Sequence, residues 1–256
     1  MCESCGCSSH DPSVPHFHSH SHAHPHDHSH PHDHHHHPDG GTEIPLAASA
    51  LALNQRHADE NRGWFCAKAL RVLNLLSSPG SGKTALLEWT LPRLPRSAAI
   101  VGDLQTDNDA RRLQATGAPA VQINTGNGCH LTADAVGRAA ETLLGTCPPP
   151  PPQWLFVENV GNLVCPVSFD LGEERRVTLL SVTEGEDKPL KYPMAFHTAD
   201  LVLVTKMDLA SAVGFDESAL RANLARVAPA SAVLPVSVRT GLGLGDWLSW
   251  LQSPPA

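Results

Sequence analysis

The stretch Leu73-Asn74-Leu75-Leu76-Ser77-Ser78-Pro79-Gly80-Ser81-Gly82-Lys83-Thr84 decides the fold. An apolar run ends in a loop of small residues, and Gly-Lys-Thr then opens onto Ala85-Leu86-Leu87-Glu88. Strand, phosphate-cradling loop and helix N-terminus follow in the order a P-loop needs. Backbone N–H groups from Gly80 through Ser81, Gly82, Lys83 and Thr84 to the helix start at Ala85 are placed to face phosphate oxygens. The Lys83 ammonium reaches the β- and γ-phosphates, and the Thr84 hydroxyl sits on Mg²⁺. One position departs from G-x-x-x-x-G-K-[ST], because Ser77 stands where the first Gly belongs. An ordinary Gly/Ser turn before a helix would explain the glycines but not the Lys-Thr pair. The stretch therefore reads as a nucleoside-phosphate site.

Downstream, apolar runs end repeatedly in acids. Ala98 to Gly102 leads into Asp103, and a carboxylate at the carboxyl end of a buried strand lies beside the nucleotide crevice, making Asp103 a candidate for the Mg²⁺ shell. Thr106, Asp107 and Asp109 follow, either as a loop that answers to the γ-phosphate or as an N-cap cluster before Ala110-Arg111-Arg112-Leu113. Ala120–Asn124 reads as a strand, followed by a helix to about Leu144. Pro148 to Pro152 reads as an extended polyproline connector on the surface. Trp154-Leu155-Phe156-Val157-Glu158 with Gly161 has the shape of a Walker-B strand entering a switch loop. Glu158 can order a Mg²⁺-bound water, and the Gly161 N–H can swing onto a γ-phosphate. The strands 177–182 and 200–204 come next, the latter delivering Thr205-Lys206-Met207-Asp208.

That tetrapeptide resembles the N-K-x-D base-recognition motif of GTPases, with Thr205 in the Asn place. Asp208 accepts the two donors of guanine's Watson–Crick edge, a pair that adenine lacks. The Lys206 stem covers the base plane, while Ser237 and Val238, past the strand 232–237, supply backbone contacts to the base. A helix over 45–70, with Leu46, Ala50, Leu53 and His57 on its inner face, precedes the first strand, and an amphipathic helix over 244–251 closes the chain.

Composition narrows the classes. The first forty or so residues of the 256 cannot join a core, which leaves about 210, enough for one α/β domain. A formal charge of −8 argues against a nucleic-acid partner, and no apolar run is long enough to span a bilayer. Seven cysteines with no export signal suggest a reducing, cytoplasmic setting.

The expected organisation is a disordered Cys/His-rich tail over 1–43 and one nucleotide-binding domain over 44–256. In Cys2-Glu3-Ser4-Cys5-Gly6-Cys7 three thiols can turn toward one ion, Gly6 permitting the bend. The α-amino group is a near fourth ligand, and a square-planar N/S set favours Ni²⁺ or Cu²⁺. A redox motif or merely oxidisable cysteines are the competing readings. Between His10 and His37 lie fourteen of the chain's 17 histidines, many weak sites for Ni²⁺, Zn²⁺ or Cu²⁺. A purification tag would be contiguous, whereas here only His34 to His37 is unbroken. A second candidate site combines Cys129-His130 with Cys165, just past Glu158 in the expected switch loop. Three protein ligands leave a tetrahedral ion unsaturated, so a second copy of the chain could complete it. The alternative is that these residues are simply packed there. Cys66, Cys147 and His197 show no partner pattern and read as structural.

Together these segments resemble the HypB family of GTPases that help insert nickel into [NiFe]-hydrogenase. The marks are Cys2-x-x-Cys5-Gly6-Cys7, the Ser-rich P-loop, Asn124-Thr125-Gly126 leading to Cys129-His130-Leu131, Glu158 through Cys165, Ser181 through Pro193, and the Thr205 motif. Ser77 for Gly is usual in that family. The resemblance implies an α/β P-loop NTPase, a SIMIBI-type G domain with a mainly parallel sheet flanked by helices. It implies a slow GTPase using GTP and Mg²⁺, a tail site at Cys2, Cys5 and Cys7, and a site for Ni²⁺ or Zn²⁺ at Cys129, His130 and Cys165. A nickel-accessory partner protein, a hydrogenase large-subunit precursor and a GTP- or metal-dependent homodimer come with it. Nickel storage in the His tract is inferred from composition. The alternatives are a nickel/zinc store with a loosely coupled GTPase, a urease-type accessory GTPase, or an ATP-dependent kinase with no use for Asp208. No glutamine or arginine finger stands out in the sequence, so turnover is expected to be slow unless a partner helps.

Overall fold

The computed structural model describes residues 43–103, 107–126 and 128–254, with side chains from residue 48 onward. The tail cysteines, the His tract and Thr106 lie outside the described residues.

A helix α1 (Glu43–Ala67) leads into β1 (Arg71–Ser77), the P-loop and α2 (Lys83–Thr90). Pro92, which has no N–H to continue the ladder, turns the end of α2 into a single 3₁₀ turn, Leu91–Arg93. Next come β2 (Ser97–Asp103), α3 (Asn108–Gln114), β3 (Ala120–Asn124), α4 (Ala133–Thr146) and β4 (Trp154–Glu158). After β5 (Arg175–Ser181) the chain makes the short helices α5 (Lys188–Lys191) and α6 (Pro193–His197). It continues through β6 (Leu201–Thr205), α7 (Ala210–Val213), α8 (Glu217–Val227), β7 (Ala232–Pro235) and α9 (Leu244–Gln252). The seven strands are parallel, in the order β3-β2-β4-β1-β5-β6-β7. The α/β class expected from the sequence is the one found. No helix among the described residues is long and apolar enough to cross a membrane.

Period-two alternation sorts the core. Leu73, Leu75, Val101, Phe156, Leu179 and Leu203 pack on one face with residues of α2, α3 and α9. There Trp247 is fully buried and donates its Nε1–H to Thr90 Oγ1 at 2.9 Å. On the opposite face Val72, Ile100, Leu155 and Val157 meet residues of α1 and α4, and Leu180, Val202 and Val204 meet α6 and α8.

Two expectations are corrected. The inner face of α1 is not Ala50, Leu53 and His57: Leu53 is 46% exposed, whereas Asn54, Ala58 and Phe65 are buried. The helix docks through amides as well as apolar groups. Asn54 Nδ2 donates to Asp170 O, Asn54 Oδ1 accepts from Ala133 N–H, and Asn61 Nδ2 donates to the Ala133 and Leu171 carbonyls. Second, the proline run is at the surface only from Pro148 to Pro151, because Pro152 is buried.

Candidate functional site

Strands β1, β4 and β2 end side by side. Leu75 pairs with Glu158 in register, and Val101 lies on the far side of Glu158. These carboxyl ends, where strand order reverses about β1, form the crevice in which open parallel sheets take ligands. A cavity of about 460 Å³ opens there, lined by Lys83, Thr84, Asp103, Asp109, Arg112 and Glu158 together with Pro79 to Gly80 and Asn159 to Gly161.

Gly80 and Gly82 turn the loop with φ of 74° and 98°, values that a side chain would oppose. Gly161 packs closely on the P-loop: a Cβ there would stand 3.0–3.1 Å from Pro79, which would have to give way. Ser77, in place of a first Gly, accepts the Lys83 ammonium at 2.8 Å. Burial pushes the Lys83 pKa down, against the pull of Glu158, Asp109 and Glu184. Thr84 Oγ1 donates to Glu158 Oε1 at 2.8 Å. Burial raises the Glu158 carboxyl to about 7, with Lys83 and the Thr84 hydroxyl opposing. Its other oxygen, Oε2, is buried without a hydrogen-bond partner. An orphaned carboxylate oxygen next to a P-loop hydroxyl fits a hard divalent cation, which takes oxygen ligands and water.

A second cavity of about 330 Å³ shares Gly82 and Ala85 with the first and is lined by Thr205, Lys206, Asp208, Val238 and Arg239. Ser237 Oγ donates to Asp208 Oδ1 at 2.7 Å, holding one carboxylate oxygen in place. Lys206 adopts the left-handed conformation, φ 57°, which aims the segment after β6 back over the pocket. Thr205 Oγ1 donates to Ser81 O at 2.7 Å and so ties the strand end to the P-loop. The two cavities adjoin, the first lined by the P-loop lysine and three carboxylates, the second by the carboxylate that Ser237 orients.

The candidate metal residues lie on loops next door. Cys129 Sγ is 3.6 Å from His130 Nδ1. A hydrogen bond to Cys165, together with burial, pushes the Cys129 thiol up. His130 stacks on Phe169 with ring centroids 3.7 Å apart, and burial pushes its pKa down. Asn162, in the loop after Glu158, donates to the Cys129 carbonyl at 3.3 Å. Cys129 thus has both His130 and Cys165 beside it. Among the described residues, however, no three such groups are already gathered as a ligand set. Cys66 is exposed and Cys147 half-buried, and His197 hydrogen-bonds the Val227 carbonyl.

Asp107 occupies the N-cap position of α3 without a capping hydrogen bond and instead pairs with Arg111, while Asp109 lines the phosphate cavity. Sequence reasoning missed three participants. Asn159, fully buried, accepts from the Leu131 and Val160 N–H groups and donates to Asn74 Oδ1 at 3.2 Å. Glu184 Oε1 lies 2.7 Å from Ser81 Oγ. Burial alone would raise Glu184, but hydrogen bonds from Ser78, Ser181, Ser81 and Lys188 hold it below the usual range. Arg112, one turn beyond Asp109, enters the cavity wall. A polar residue inside an apolar strand, such as Asn74, was the available signal for the first of these.

The CobW/HypB/UreG nucleotide-binding domain family matches residues 71–235. The chain is 55% identical over 212 residues to the hydrogenase maturation factor HypB of Azotobacter chroococcum, covering 82% of this chain and 68% of that one. Identity to the HypB of Escherichia coli K12 is 50% over 213 residues, covering 82% and 72%. Among solved structures, the Helicobacter pylori HypB in complex with nickel is similar with a TM-score of 0.74 and 38% identity, covering 77% of this chain and 93% of that one. The Archaeoglobus fulgidus HypB gives a TM-score of 0.72 at 36% identity, covering 78% and 98%.

Proposed function

The chain belongs to the HypB hydrogenase maturation factors of the CobW/HypB/UreG family, and from that premise we propose that it is a GTP-hydrolysing nickel metallochaperone. Its role in this reading is to bind Ni²⁺ and deliver it for maturation of [NiFe]-hydrogenase. The observation that carries the reading is the sharing of one short loop. Glu158 faces the phosphate cavity, and a few residues on Asn162 and Cys165 are in contact with Cys129.

In this reading Lys83 and the P-loop N–H groups bind the phosphates, and Asp208, oriented by Ser237, selects guanine. Thr84, Asp103 and Glu158 would hold Mg²⁺, which when bound would supply positive charge to offset that of the phosphates. Arrival of a γ-phosphate draws the Gly161 N–H inward, and the same loop then shifts Asn162 and Cys165 relative to Cys129 and His130. Cys129, His130 and Cys165 would take Ni²⁺ or Zn²⁺, with a second copy of the chain completing the coordination in a GTP- or metal-dependent dimer. Residues 1–43 form a further Ni²⁺ reservoir, with Cys2, Cys5 and Cys7 as its tight site. A nickel-accessory protein and a hydrogenase large-subunit precursor are the proposed partners, in the cytoplasm.

The test is a Ni²⁺ titration of the full chain with GDP and then with a non-hydrolysable GTP analogue, repeated on Cys165→Ser. A nucleotide-dependent shift in affinity or stoichiometry that the substitution removes is expected. Superimposed native curves would replace the chaperone with a nickel store fused to an independent GTPase.

A further inference from the structure

Two cations line the phosphate cavity among the described residues, Lys83 and Arg112, against three carboxylates, Asp103, Asp109 and Glu158. Lys83 is committed: it is buried, bonded to Ser77, and placed where a P-loop lysine meets the ground-state phosphates. Arg112 is close enough to Glu158 for its charge to be felt there. Its guanidinium is held by Glu88 on α2, with Nε at 3.0 Å from one oxygen and a terminal nitrogen at 2.7 Å from the other. Asp109, one turn earlier on α3, holds the remaining nitrogen at 3.0 Å. These carboxylates raise the Arg112 pKa, so the charge is permanent.

We propose that Arg112 is an arginine supplied in cis to the transferring γ-phosphoryl group, stored on Glu88 until GTP fills the cavity. The proposal deepens the GTPase reading and rests on it. The side chain is 46% exposed where it is stored, so leaving Glu88 breaks a solvent-screened pair of small net strength. The fork that now grips Glu88 at two points matches two oxygens of a phosphate equally well. In the reaction the oxygen of a water bonds the γ-phosphorus. The bond from that phosphorus to the β–γ bridging oxygen breaks, with its electron pair passing to GDP. The water's second proton ends on the released phosphate. Negative charge on the equatorial and bridging oxygens grows along this path, and a second cation there is worth most in the transition state. The finger that the sequence did not reveal is thus carried on α3.

The test measures single-turnover GTP hydrolysis and GTP affinity of the full chain with Mg²⁺, for the native protein, Arg112→Ala and Glu88→Gln. Arg112→Ala should slow hydrolysis by about 100-fold or more. GTP affinity should change by no more than about threefold, because the contact is made in the transition state. Glu88→Gln, which loosens the stored guanidinium, should hydrolyse at least as fast as the native chain. Native rates in Arg112→Ala would overturn the proposal. So would an equal loss in Glu88→Gln, since the pair would then be only a clamp between α2 and α3. A loss that falls entirely on affinity would reduce Arg112 to a ground-state contact and also overturn it. Arg112→Gln gives a second measurement should the alanine variant unfold. A native chain that leaves GTP intact overturns the GTPase reading itself, an outcome distinct from all of these.

Discussion

The phosphate cavity and the cysteine corner sit at the same end of the sheet yet are built differently. In the cavity Lys83, Thr84 and Glu158 are each less than 10% exposed, and every one hydrogen-bonds a residue of the P-loop or of β4. In the corner Cys129, His130 and Cys165 are half-exposed, lie on loops, and meet pairwise rather than as three. Position explains the contrast. Side chains at the ends of β1 and β4 inherit the rigidity of a hydrogen-bonded sheet, whereas a loop holds its groups through a few side-chain contacts. Stabilising charge on a phosphate requires donors fixed in advance. A metal that must be received and then released is better served by ligands that assemble with their cargo.

The largest effect that would sharpen this contrast lies at the base pocket, on the rigid side. Replacing Asp208 by Asn puts an amide where guanine's two donors need an acceptor, and the Ser237 hydrogen bond no longer has a charge to orient. Competition binding should show the preference for GTP over ATP falling by about 1,000-fold, because the discrimination rests on pairing a buried polar edge. Nickel stoichiometry at the proposed Cys129, His130 and Cys165 site should stay as it was. An Asp208→Asn chain that still prefers GTP would remove the base-recognition assignment.

Next in size is a pH effect within the cavity. Burial raises Glu158 from 4.5 to about 7, so the folded chain holds a proton that the unfolded chain has already lost. The stability tied to that proton is fully present below about pH 4.5 and is lost as pH rises through 7. A shift of this size corresponds to about 3 kcal/mol. Denaturant unfolding of the nucleotide-free chain across that window should show the decline, and Glu158→Gln should flatten it by a similar amount. Cys129→Ser should track the native curve, since the hydrogen bond to Cys165 and burial push the thiol up, away from that window. A flat native profile would count against a buried, proton-holding Glu158.

The placement of most residues on the rigid side was legible in the sequence because the proposed phosphate chemistry needs fixed residue types at fixed spacing. The P-loop, Asp103 and Glu158 each end an apolar run at the carboxyl end of a strand, and Asp208 follows three residues past the end of β6. What stayed hidden depends on long-range pairing. The inner face of α1 was misread because hydrophobic periodicity cannot see Asn54 and Asn61, whose amides satisfy backbone groups at the start of α4 and near Leu171. Arg112 looked like an ordinary helix-surface cation until α3 folded against α2 beside the P-loop. Glu184 lay in a recognisable segment, but nothing local connects it with Ser81.

The smallest predicted change in ligand binding sits between the two regions. Asn159 follows Glu158 directly, and its Oδ1 accepts from Val160, the residue before Gly161, and from Leu131, the residue after His130. Its Nδ2 donates to Asn74 Oδ1, and Asn74 in turn donates to Glu173. One buried side chain therefore contacts the switch loop, the cysteine loop and the P-loop strand. Leu131 has little freedom to move independently, because it fills the space above Gly102, where a Cβ would stand 2.8 Å from its side chain. Asn159→Ala leaves two N–H groups and one carbonyl oxygen to find other partners, at about 1–3 kcal/mol each where none is found. The variant should accordingly melt earlier than the native chain. Its diagnostic defect is different. The ratio of Ni²⁺ affinities with GDP and with a GTP analogue, expected to be about 5-fold or more in the native chain, should collapse toward one while each ligand alone still binds. Asn159→Asp keeps the acceptor for both N–H groups but loses the bond to Asn74 and buries a carboxyl beside Glu158, so it should retain most of that ratio while melting earlier than the native chain. If the alanine variant keeps the native ratio, the two regions communicate by another route, through Asn162 and the Cys129 carbonyl.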